Sequence, residues 1–117
     1  MKKTLIVVAS LLLCGAAYAQ NPKAADDAVV KSGNARFTVL TDRLIRMEWA
    51  EDGQFEDRAS LAIINRNLDV PAFKVRRDGG KTEIRTDAVT LTYSGNGKFT
   101  VDNLSVSFRM NGKNVIW

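Results

Sequence analysis

The stretch AFKVRRDGGKTEIRT, residues 72–86, decides the fold class. Phe73 and Val75 alternate with Lys74 and Arg76, a period of two that places apolar side chains on one face of a strand. Asp78-Gly79-Gly80 follows, and its glycines accept the positive φ that a tight hairpin turn needs. TEIRT (Thr82–Thr86) then runs back. The unit is an antiparallel hairpin, and its neighbours on both sides carry the same pattern.

Upstream, ARFTVLT (Ala35–Thr41) is β-branched and aromatic, with Phe37 and Val39 on one face. In RLIRMEWA (Arg43–Ala50), Ile45, Met47 and Trp49 point one way, and Leu44, Arg46 and Glu48 the other. Glu51-Asp52-Gly53 ends that strand. ASLAIIN (Ala59–Asn65) is expected as a further strand, with Pro71 marking the next boundary. Downstream, AVTLTY (Ala88–Tyr93) groups Val89, Leu91 and Tyr93. A turn at Ser94–Gly97 and an expected strand KFTVD (Lys98–Asp102) follow. LSVSFRM (Leu104–Met110) alternates most cleanly. Asn111-Gly112 turns once more, and NVIW starts a strand that the sequence leaves unfinished. Short strands divided by Gly and Asn turns predict an all-β fold, an antiparallel β-sandwich incomplete at its C-terminus.

The 117 residues hold at most one domain. Met1-Lys2-Lys3, an apolar run and Ala17-Tyr18-Ala19 form the three parts of a signal peptide. Residues 1–19 are expected to be removed, 20–33 to form a leader, and 34–117 to form the sandwich domain, exported to the periplasm or beyond. Lipoprotein processing at Cys14 is disfavoured, because Leu13 stands where a small residue is needed. Without Lys2 and Lys3, 15 basic residues face 13 acidic ones, with signs alternating along the chain. That pattern disfavours nucleic acid as a partner. No later segment is apolar enough to span a membrane.

The chemistry expected of the mature chain is sparse. Cys14 is the one cysteine and histidine is absent, which excludes a disulfide, a Cys/His zinc site and the usual nucleophile–histidine pair. No phosphate-cradling loop or calcium loop is present, and no cofactor is expected. Glycoside hydrolysis would need two carboxyl groups converging on one bond. Glu56 and Asp57 are adjacent, so extended backbone sends them to opposite sides. Glu51 and Asp52 precede a turn glycine, where solvated acids normally sit. Arg58 is read as an ion-pair or hydrogen-bond partner to a neighbouring carboxylate or carbonyl, Trp49 as core, and Trp117 carries no reading at the chain end. No catalytic, cofactor-binding or metal-binding residue is expected.

The run LTDRLIRMEWAEDGQFEDRASLAIINRN (Leu40–Asn67) resembles the N-terminal β-sandwich of family-31 glycoside hydrolases, the α-glucosidase and α-xylosidase type. The resemblance rests on Arg46–Glu48, then Phe55, Asp57 and Ser60, then Asn65 and Arg66. It continues through Pro71, Phe73 and Val75, through Ile84, Thr86, Leu91 and Tyr93, and through Gly97–Phe99. It implies a galactose-mutarotase-like sandwich that packs on a (β/α)₈ barrel. The barrel would carry both catalytic aspartates of a retaining α-glycosidase, and its substrate would be a carbohydrate. Neither aspartate lies in residues 1–117. On this basis Phe55 is expected to plug an apolar gap, and Asp57 and Arg66 to tie down their loop. The alternatives are a free-standing carbohydrate-binding or adhesive sandwich and a structural periplasmic domain without a ligand.

Overall fold

A computed structural model describes residues 21–117. The signal-peptide reading of residues 1–19 lies outside them. A 3₁₀ turn at Asp26–Ala28 leads into eight strands: β1 (Val29–Ser32), β2 (Ala35–Thr41), β3 (Leu44–Trp49), β4 (Phe73–Asp78), β5 (Lys81–Thr86), β6 (Val89–Ser94), β7 (Leu104–Met110) and β8 (Lys113–Ile116). They form two sheets in sequential order, β1-β2-β3 and β4-β5-β6-β7-β8, and every pairing is antiparallel. The expected all-β, sandwich-like class is the observed one.

Hairpin chemistry sets this order. In the opening stretch Asp78 pairs with Lys81 across Gly79 and Gly80, whose φ values are 53° and 79°. Both central residues of a type I′ turn need positive φ, and glycine supplies it without steric cost. Asn111 (φ 52°) and Gly112 (φ 74°) repeat the device between β7 and β8, where Met110 pairs with Lys113. NVIW is therefore part of a closed hairpin, with the Val106 and Trp117 backbones exchanging two hydrogen bonds.

The core lies between the sheets. Val30, Ala35, Phe37 and Val39 come from the three-stranded sheet, and Ile84, Leu91 and Tyr93 from the five-stranded one. Ile45, Met47 and Trp49 pack against this cluster from β3, as their alternation predicts, and Leu104 and Val106 do so from β7. The Phe37, Tyr93 and Phe99 rings touch in pairs, with centroids 5.5–5.8 Å apart. Polar clasps join the rims of the two sheets. Ser32 and Thr82 share a hydroxyl hydrogen bond of 2.8 Å, and the Thr86 hydroxyl donates to the Asp42 carbonyl.

Three expectations are corrected. Val29–Ser32, assigned to the leader, form β1, and Val30 belongs to the core. Ala59–Asn65 is irregular rather than a strand. Its apolar side chains have no sheet to face: Leu61 is fully exposed and Ile64 half exposed. Lys98–Asp102 is a loop. Here Asn103 satisfies the backbone in place of a strand partner, its Oδ1 accepting from Thr100 N at 2.8 Å and its Nδ2 donating to the Lys98 carbonyl at 2.7 Å. The Tyr93 hydroxyl donates to the Gly97 carbonyl at 2.7 Å, so this loop delivers Phe99 to the core.

Gly33 gives a sharp test of the sheet-to-sheet contact. Its φ is 56°, and a Cβ there would lie 2.0 Å from Asn96 Oδ1, which accepts the Asn34 backbone N–H. The backbone carbonyl of Asn96 itself accepts from Trp49 Nε1 at 2.9 Å. Gly33→Ala is therefore expected to cost about 1–3 kcal/mol through strain and displacement of Asn96. Urea titration checks this; a change within error would mean that the 94–97 loop moves freely.

Candidate functional site

The outer face of β2 and β3 carries the densest chemistry. The register sets Arg36 opposite Glu48 and Thr38 opposite Arg46. Alternation along β2 sends Phe37 and Val39 to the core and Arg36 and Thr38 to this face, yet all four are buried. What covers Arg36 is the segment after β3, which folds back over the sheet.

Arg36 is the hub. Its Nε donates to Glu48 Oε2 at 2.7 Å and its Nη2 to Glu48 Oε1 at 2.9 Å, a bidentate fork. Nη1 donates to Asp57 Oδ1 at 2.6 Å, and Nη2 also to the Glu56 carbonyl at 3.0 Å. Burial by itself would lower the Arg36 pKa; the bonds to Glu48 and Asp57 outweigh it and hold the guanidinium above its ordinary value. The Phe55 ring stacks on this guanidinium, 4.8 Å from its centre. Phe55 thus caps a charge instead of filling an apolar gap.

Arg66 holds the same loop from its far end. It is 2% exposed and donates to the Glu56 carbonyl (3.1 Å) and the Arg58 carbonyl (2.8 Å). Its own N–H donates to the Asn21 carbonyl at 2.8 Å. Asp57 and Arg66 therefore do tie the loop down, through Arg36 and through backbone carbonyls respectively.

The sequence-predicted acids do not converge. Glu56 turns to Arg58, which donates to it from Nε, Nη2 and the backbone N–H. Those bonds hold Glu56 down to about 2. Asp57 turns the other way, and its hydrogen bond to Arg36 keeps its carboxyl below the usual range. Asp52 accepts the Gln54 N–H in its turn at 2.9 Å. Glu48, Glu56 and Asp57 are each bound to a guanidinium. Trp49 lies against the core with Lys98 over its ring at 5.5 Å, and Trp117 is largely exposed. Among the described residues no group of His, Cys, Asp and Glu could hold a metal, and no helix is long and apolar enough to cross a membrane.

Arg36, Arg46 and Glu48 as a largely shielded ion-pair trio were not singled out from sequence. The available signal was an arginine within an otherwise apolar strand, ARFTVLT, facing an alternating Arg46/Glu48 strand. Around them opens a cleft of about 520 Å³, lined also by Lys23, Lys31 and Arg77.

The paired carboxylates make a pH prediction. The Asp57 pKa is depressed by folding, so its contribution is complete above the ordinary carboxylate value and is lost as pH falls through the folded value. Asp57 is half exposed, which limits the effect of Asp57→Asn near pH 7 to about 1 kcal/mol. Melting curves between pH 7 and 2 should bring variant and parent together in acid. A gap that stays constant would remove Asp57 from the ion-pair role.

No family model matches the chain, and no curated protein matches it significantly.

Proposed function

We propose that the chain is the N-terminal accessory sandwich of an exported retaining α-glycosidase of the family-31 type, acting on α-linked glucosides or related glycans. The observation that carries this reading is the role of the residues on which the resemblance rests. Phe55, Asp57 and Arg66 build a tie-down over the β2–β3 face, and Glu48, Glu56 and Asp57 are each held by an arginine. A scaffold use of these positions is what an accessory domain requires; an acid–base pair would have argued for catalysis in the chain itself.

A second feature agrees. Five strands face three, so the far part of the larger sheet outruns its cover. Phe108, Val115 and Trp117 lie on the same face of β7 and β8 as Val106, by their register. Trp117 is 70% exposed. An apolar face of this kind suits a domain that packs on a larger body.

The test is to read the coding frame past the Trp117 codon and to assay its product. An open frame into a (β/α)₈ barrel, with release of glucose or xylose from aryl α-glycosides with retained anomeric configuration, is the expected result. The chain alone should show no turnover. A stop codon at this point, with glycan binding by the isolated chain, would replace the proposal with a free-standing carbohydrate-binding sandwich.

A further inference from the structure

The cleft beside β2 and β3 has a charge imbalance that the tie-down role does not use. Six cationic side chains line it: Lys23, Lys31, Arg36, Arg46, Arg66 and Arg77. Asp26 and Asp57 are the acids on its wall, with Glu48 behind. Glu48 is shared between Arg36 and Arg46, and Asp57 is taken by Arg36. Among the described residues, Lys23, Lys31, Arg66 and Arg77 have no carboxylate within ion-pair distance.

Two of these four are anchored by neutral groups. Arg77 donates to the Thr82 hydroxyl (3.2 Å) and the Lys31 carbonyl (2.7 Å), and Arg66 to two loop carbonyls. The Arg66 Nε is buried with no acceptor. Arg46 Nη1, also buried, lies against Glu48 as an ion pair without hydrogen-bond geometry. Burial, then the charge of Arg46, lowers the Arg66 pKa. Guanidinium groups withdrawn from water without a full set of acceptors are costly. Guanidinium groups gathered on the wall of one cleft are an arrangement that recognises planar or tetrahedral oxyanions.

We propose that this cleft binds the oxyanion group of a small molecule — a sulfate, phosphate or carboxylate — with Arg66, Arg46 and Arg77 as fixed donors and Lys31 and Lys23 as mobile ones. Thr38 lines the same wall. One confined cleft with mixed charge around it suits a single anionic group better than a polyanion, whose binding needs an extended basic track. The inference is independent of the glycosidase reading, because it needs neither a barrel nor a sugar.

The experiment is an NMR titration of the full chain, following backbone amides and arginine Nε–H signals. Sodium sulfate, phosphate and glucuronate are added in turn, against sodium chloride at equal ionic strength. Saturable shifts centred on Arg66 Nε–H, Lys31 and Thr38, with at least one oxyanion and not with chloride, are expected. Lys31→Gln with Lys23→Gln, both at exposed positions, should weaken binding by roughly five- to tenfold while signal dispersion is unchanged. If that pair fails to fold, Lys23→Gln alone should weaken it by about two- to fivefold. Shifts scattered over the surface, equal shifts with chloride, or no saturation would overturn the proposal. So would binding by the chain that vanishes in a longer gene product, since an acidic side chain would then fill the cleft.

Discussion

Phe37→Ala is expected to cost about 3–5 kcal/mol, the usual range for truncating a fully buried phenylalanine. Domains of this kind are stable by roughly 5–15 kcal/mol in total, so the variant should sit near the edge of cooperative folding. The reason is geometric. Phe37 is 0% exposed and is the one ring of the aromatic trio that comes from the smaller sheet. Its partners, Tyr93 at 5.6 Å and Phe99 at 5.8 Å, belong to β6 and the loop after it. Removing the ring opens a void at the centre of the inter-sheet core, and strands cannot close it without breaking register. Phe37→Leu keeps most of the volume and should cost about 1–2 kcal/mol. Val101→Ala, at a side chain 95% exposed, should change stability by less than about 0.5 kcal/mol. Urea denaturation followed by tryptophan fluorescence measures all three. A loss below about 1 kcal/mol for Phe37→Ala would mean that the sheets are not packed through this ring.

The strands were legible where alternation and turn chemistry agreed. The Ala72–Thr86 hairpin, LSVSFRM and RLIRMEWA each pair a period of two with a Gly or Asn turn, and each is a strand in the predicted register of faces. Reading failed where apolar composition stood without a partner. ASLAIIN has the residues of a strand, but Ser60 and Ile63 bond to each other locally and Leu61 faces solvent. KFTVD has one anchor, Phe99, and its backbone is satisfied by Asn103. Period-two arguments report which face a residue prefers and are silent on whether a neighbouring strand exists to accept its hydrogen bonds. Val29–Ser32 erred the other way: four residues are too few to show a period. In the site, the tie-down by Asp57 and Arg66 was anticipated through the resemblance. The hub at Arg36 was not, because a charged residue at an alternate strand position reads as solvent-facing. Only the long loop after β3, folded back, makes that face a second interior.

Arg36→Met is expected to cost about 3 kcal/mol, the lower end for breaking a buried ion pair, because Arg46 still partners Glu48. Arg36 and Glu48 side chains are 10% and 13% exposed, so the carboxylate, left with Arg46 alone, would face little water. The loss has a second part: Asp57, the Glu56 carbonyl and the Phe55 ring all lose their anchor together. The loop should open while the sandwich core persists. Arg58, with an 88% exposed side chain, lies within that loop and reports its release to trypsin. Cleavage after Arg58 should therefore accelerate more than global unfolding does. The control is Arg36→Met with Glu48→Gln, which removes the carboxylate, keeps the volume and leaves Arg46 a neutral acceptor. That pair should recover stability relative to the sum of the single losses, with a coupling of about 1–3 kcal/mol. It should not recover the loop, since Asp57 and Phe55 remain unanchored. Recovery of both would place the loop's order in electrostatic relief of Glu48 alone. Recovery of stability with persistent cleavage would assign Arg36 two separable tasks, neutralising the buried carboxylate and seating the loop that bears the Phe55–Arg66 motif.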